Sequence, residues 1–120
     1  MGLREDILKT PDLASADVTV AKWGGRTVRL VELTAAQRMA YQEATERFAK
    51  ERPGPTAYLD GLVLLVAWSA FDPETGERLF RDEDVEELKK RSLSVVRDLG
   101  MRALTLGKGT EAPETTQGNS

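Results

Sequence analysis

Between Asp60 and Asp72 the chain carries a run that is apolar on every side of a helix, and that run decides what the rest of the molecule can be. Leu59, Leu62, Val63, Val66 and Ala70 share one face at helical spacing, while Gly61, Leu64, Leu65, Trp68 and Phe71 occupy much of the opposite side. The run is about half the ~20 residues that a membrane-spanning helix needs. Leaving one large apolar side chain in water forfeits about 1.5–3 kcal/mol, so such a helix belongs in the centre of a core or under a partner. The pattern predicts a helix over residues 56–71. Arg52-Pro53-Gly54-Pro55 breaks the chain before it, and Asp72-Pro73-Glu74-Thr75-Gly76 turns it afterwards.

A core around that helix is affordable at this length. A chain of 120 residues suits one domain, and a globule of that size buries roughly two-thirds of its unfolded surface. The sequence has no cysteine and no histidine. Disulfides and thiolate metal sites are therefore excluded, and the commonest general base and transition-metal ligand are missing. With 17 basic and 20 acidic residues the net charge is −3, which gives no overall attraction to nucleic acid. The first residues, Met1-Gly2-Leu3-Arg4-Glu5-Asp6, hold no signal-length apolar run and no myristoylation pattern, so no membrane association is expected.

Around the central run the period changes. Leu3, Ile7 and Leu8 form a short helical stripe, and Thr10-Pro11-Asp12 ends it, leaving residues 10–16 as a loop or turn. Over residues 17–32 the period becomes two: Val18 and Val20, then Val28 and Leu30, alternate with other residues on either side of Trp23-Gly24-Gly25-Arg26. Alternating runs joined by Gly-Gly predict a β-hairpin whose two central turn residues take positive φ. A lone hairpin is marginal in water, so it must lie on the helices or pair with another chain.

Thr34-Ala35-Ala36-Gln37 fits a capping box at the start of a helix through Arg52, with Met39, Ala40, Ala44 and Phe48 as its modest apolar stripe. Asp82 is placed to cap a later helix with an acidic first turn (Glu83, Asp84, Glu86, Glu87) and a basic end (Lys89, Lys90, Arg91), an order that complements the helix dipole. Ser92 either continues that helix or starts another, whose stripe is Leu93, Val96, Gly100, Ala103 and Leu104. Gly100 either weakens the helix interior or marks a close packing point. From Gly107 the composition falls to residues that bury nothing, which predicts a disordered tail over 107–120. The expected architecture is α+β and mainly α. An N-terminal β-hairpin packs on a small bundle of three to five helices in one domain over residues 1–106, and the tail follows.

Few residues invite chemistry. The Asp82–Glu87 cluster has the carboxylates of a cation site or an acid–base pair, but its spacing also describes a solvated helix start. Gly107-Lys108-Gly109-Thr110 lacks the strand, the earlier glycine and the following helix of a phosphate loop. Ser69, Ser92 and Ser94 have no histidine to activate them. Lys89-Lys90-Arg91 reads as the basic end of a helix. The expectation is a protein that is not an enzyme and holds no cofactor or metal. Trp23 at the hairpin tip has two readings: a residue folded over its turn, or an interface anchor of the kind tryptophan often supplies. Leu64, Trp68 and Phe71 likewise either complete the core or line a groove for a partner.

Two segments carry a family resemblance. Lys22-Trp-Gly-Gly-Arg-Thr-Val-Arg-Leu-Val-Glu-Leu-Thr-Ala-Ala-Gln-Arg-Met-Ala-Tyr-Gln-Glu-Ala44 resembles the opening of the tail assembly chaperones of lambda-like long-tailed bacteriophages, a Gly-containing hairpin followed by a helix start. Gly61-Leu-Val-Leu-Leu-Val-Ala-Trp-Ser-Ala-Phe71 is similar to the central helix of that family. In order, the similarity runs over residues 17–106. It implies a protein that coats the tape measure protein, keeps it soluble and helps recruit the tail tube protein, working in the host cytoplasm and absent from the mature virion. It also implies, for many members, a frameshift-extended form of the same protein, and it leaves room for a homo-oligomer. Gly107-Lys108 is compatible with a GGGAAA slippery run, which the gene would decide. Trp23, Leu64, Trp68 and Phe71 are the candidate partner-binding residues. The competing expectation is a structural virion component, such as a head–tail connector or tail terminator subunit, which would form a fixed ring and stay in the particle.

Overall fold

A computed structural model describes residues 2–108 of the chain. Helix α1 (Leu3–Lys9) is followed by strands β1 (Ser15–Val20) and β2 (Arg26–Val31), then by helices α2 (Ala35–Glu51) and α3 (Pro55–Ser69). A two-residue strand β3 (Ala70–Phe71), a short helix α4 (Val85–Leu88) and helix α5 (Leu93–Thr105) complete it. The architecture is α+β and mainly α, with the hairpin and helices expected from the sequence. The expected tail over 107–120 lies outside the described residues from position 109 onward, and Gly107 turns the chain beyond α5 with φ 82°.

The hairpin alternates as predicted. Val18 faces Val28 across the antiparallel ladder, and Val20, Val28 and Leu30 are buried. The other face carries the Asp17–Arg29 ion pair at 2.7 Å and the Thr19–Thr27 hydroxyl pair at 3.0 Å. Strand β1 starts inside the segment read as a loop, because Glu32 pins Ala14: its carboxylate accepts from the Ala14 amide, and its own amide donates to the Ala14 carbonyl. Gly24 and Gly25 take φ 75° and 71°. They close a longer loop than Gly-Gly alone implies, since a 3₁₀ turn over Ala21–Trp23 precedes them and swings Trp23 aside.

Helix α3 is the centre. Eight of its residues are buried, and it packs against α2, α5, α4 and β2. Pro55 occupies its first turn after Gly54 at φ 94°, a conformation that glycine accepts readily. The helix ends at Ser69 rather than running to residue 71. Pro73 bars its own predecessor from helical geometry, and the open edge of β2 captures Ala70 and Phe71 as a third strand, in the order β1-β2-β3.

Close approach at two glycines lets the neighbouring helices in. A Cβ on Gly61 would lie 3.3 Å from the Thr45 methyl of α2, and one on Gly100 would lie 3.1 Å from Leu62. The capping box at α2 is formed: the Gln37 amide donates to Thr34 Oγ1 at 3.1 Å, and the Gln37 side chain accepts from the Thr34 amide at 3.0 Å. The inner face of α2 is Tyr41, Ala44, Thr45 and Phe48, whereas Met39 and Ala40 point to solvent. The helix needs only a narrow stripe, because α3 covers it along one line.

Asp82 does not cap the fourth helix. It lies in a 3₁₀ turn over Asp82–Asp84, and Asp84 closes that turn by accepting from the Arg81 amide at 2.8 Å. Ser92 starts a separate helix, and Val95, Val96, Leu99, Gly100 and Ala103 form its buried side. Leu93, placed in that stripe from the sequence, is exposed, as is Met101.

One buried charge ties these elements together. Asp60 is 5% exposed, and its carboxylate meets Lys89 Nζ at 2.6 Å and the Arg52 guanidinium at 3.2 Å. The hydrogen bond to Asp60 is the main reason that the Lys89 ammonium titrates above the usual lysine range, against the opposing effect of burial. Three helices are thus clamped at one carboxylate.

Candidate partner-binding surface

The four residues singled out in the sequence fall in three settings. Leu64 and Trp68 lie one turn apart on α3, both half-buried. Trp68 packs against both groups of core side chains: the larger, which includes Val66, Leu99 and Leu30, and the smaller, made by Leu33, Leu65 and Ala103. Phe71 has left the helix and pairs across β3 with Arg29 and Arg78, so it does not extend a helical face with Leu64 and Trp68.

Trp23 is brought together with residues that the sequence keeps far away. The 3₁₀ turn lays its ring edge-on to Phe80, with centroids 6.1 Å apart and planes at 79°, and the pair covers the edge of the main core. Edge-to-face contact of this kind matches the positive rim of one ring to the negative face of the other. Two clefts share the pair as a wall. One, of about 390 Å³, is lined by Lys22, Trp23, Arg26, Phe80, Leu88 and Arg91. The other, of about 680 Å³, runs over Val28, Pro73 and Leu79 on the hairpin side. Sequence reasoning singled out Trp23 but missed Lys22, Arg26 and Arg91 beside it, because nothing local relates residues 22 and 91.

The acidic cluster behaves as a helix start. Asp82 pairs with Arg78 at 3.4 Å, Glu86 with Lys89 at 3.0 Å and Glu87 with Lys90 at 3.1 Å. Among the described residues no group of three or more His, Cys, Asp or Glu is placed to hold a metal ion. Among the same residues no helix is long and apolar enough to cross a membrane.

A hairpin completed by a late third strand and laid on a central apolar helix defines a small, mainly helical α+β fold. That fold is the one seen in the bacteriophage HK97 tail assembly chaperone. The two structures superpose with a TM-score of 0.64 at 20% identity, over 88% of this chain and 98% of the other. No protein-family model matches the sequence, and no curated protein matches it.

Proposed function

We propose that this protein is a tail assembly chaperone of a long-tailed bacteriophage, which binds the tape measure protein and keeps it soluble while the tail is built. The observation that carries the reading is the shared fold, which spans nearly the whole of both chains. Support comes from the surface, where large apolar side chains stand exposed: Leu3, Ile7 and Leu8 of α1 are 75%, 62% and 69% exposed. Three large apolar side chains exposed on one short helix are suited to contact with a partner. The protein acts by binding and not by catalysis, in the host cytoplasm, and leaves before the virion is finished. The tail tube protein and a frameshift-extended form of the same chain are further partners in this reading.

Co-expression with the tape measure protein of the same phage tests it. The expected result is a soluble complex that survives size-exclusion chromatography, with the tape measure protein aggregating when made alone. A closed ring of this chain retained in purified virions, with no such complex, would overturn the reading in favour of a head–tail connector or tail terminator subunit.

A further inference from the structure

Three cations converge on the smaller of the two clefts at Trp23. Lys22 and Arg26 flank the tryptophan in sequence, and Arg91 arrives from the turn between α4 and α5 to line the same cleft. All three are exposed, and among the described residues none has a carboxylate within ion-pair distance. The bonds that position two of them are to neutral groups. Lys22 Nζ donates to Ser92 Oγ and Ser94 Oγ, each at 3.2 Å, and the Arg26 guanidinium donates to the Trp23 carbonyl at 3.0 Å. Lys22 and Arg26 are thus oriented by neutral groups, Arg91 extends freely, and none of the three is ion-paired, on a chain whose net charge is −3.

The position of Lys22 is electrostatically uphill. Ser92 is the N-cap of α5, so the ammonium sits against the positive end of a 13-residue helix. An incoming carboxylate would relieve both charges at once. Acids stand close by without pairing: Asp84 and Glu87 line an adjoining cleft with Arg91, and Asp72 and Glu74 line another with Arg26. Of these, Glu87 is held by Lys90 at 3.1 Å, Asp84 accepts from the Arg81 amide, and Asp72 accepts from two amides of its own turn, and none comes within ion-pair distance of the three cations. Beneath the cations the floor is apolar, with Trp23 and Phe80 half-buried and Leu88 3% exposed.

We propose that this cleft docks an acidic segment of a partner protein, which seats a large apolar side chain against Trp23, Phe80 and Leu88 and sets carboxylates against Lys22, Arg26 and Arg91. The proposal deepens the chaperone reading by giving the chemistry of the segment that is bound. An aromatic anchor with preplaced cations supplies specificity and a fast, salt-sensitive encounter.

The test uses the full chain and two synthetic amphipathic peptides, one with leucines flanked by glutamates and one with glutamines in place of those glutamates. By fluorescence anisotropy the acidic peptide is expected to bind at least about tenfold more tightly than its neutral counterpart, with affinity falling as salt rises. Arg91→Glu should lose at least about tenfold in affinity for the acidic peptide with an unchanged unfolding midpoint, since Arg91 is exposed. Equal binding of the two peptides, or undiminished binding by Arg91→Glu, would overturn the proposal. Capture of the tape measure protein is measured separately. Capture by the wild type that is lost in Arg91→Glu supports both readings. Absence of capture by the wild type refutes the chaperone reading alone, and the peptides still decide the cleft.

Discussion

The two tryptophans of this chain are both half-buried, yet their surroundings differ. Trp68 is wedged between the two groups of core side chains, and its removal would open a void that they share. Trp23 stands on the rim of the core, with one aromatic neighbour and a ring of cations. Fractional burial alone does not separate a packing residue from a docking residue. What separates the two settings is that the exposed part of the Trp23 ring faces a cleft lined by cations, which is the basis of the docking role proposed for it.

The largest expected effect is on Trp68. Trp68→Ala should cost about 3 kcal/mol, the lower end for a large aromatic truncated in a core, read from the urea midpoint at constant slope. A smaller loss than that of Trp23→Ala would mean that Trp68 does not hold the two groups of core side chains together. Lys89→Met follows at the other end of α3. It leaves Asp60 buried with only the exposed Arg52 and should cost about 3 kcal/mol or slightly less, most of it restored by Asp60→Leu in the same chain. Trp23→Ala should cost only about 1–2 kcal/mol, from the lost edge-to-face pair and partial burial, while abolishing capture of an acidic peptide.

The smallest effect is in the pH profile of stability. The folded state raises the Lys89 pKa, so its contribution is fully present below the ordinary lysine value of about 10.4 and is lost as pH rises through the raised value. The urea midpoint should therefore show no step from Lys89 between neutrality and the ordinary lysine range, and should fall above it. Docking at the Trp23 cleft should instead respond to salt at neutral pH, where the stability of the clamp hardly changes.

Elements with a local cause were legible in the sequence. The Gly-Gly turn, the Thr34–Gln37 capping box and the central helix each follow from neighbours within a few residues, and each formed. The third strand was hidden, because helical and strand readings of Ala70 and Phe71 are equally apolar, and the open edge of β2 made the choice. Asp60 marked the start of the apolar run in the sequence. Its burial depends on Lys89, which arrives 29 positions later by the subtraction 89 − 60. The cation cluster was hidden for the same reason, since Lys22 meets Ser92 across a separation of 70 residues.

The late third strand also sets an order of events during synthesis. By the subtraction 71 − 31, Phe71 emerges 40 residues after the end of β2. At about 5–20 residues per second the ribosome needs roughly 2–8 s to supply it. For that interval the nascent hairpin has two bare edges, each able to recruit a strand from a neighbouring chain. Slower translation between residues 31 and 71, as from rare codons in that stretch of the gene, should therefore increase the insoluble fraction of the expressed chain.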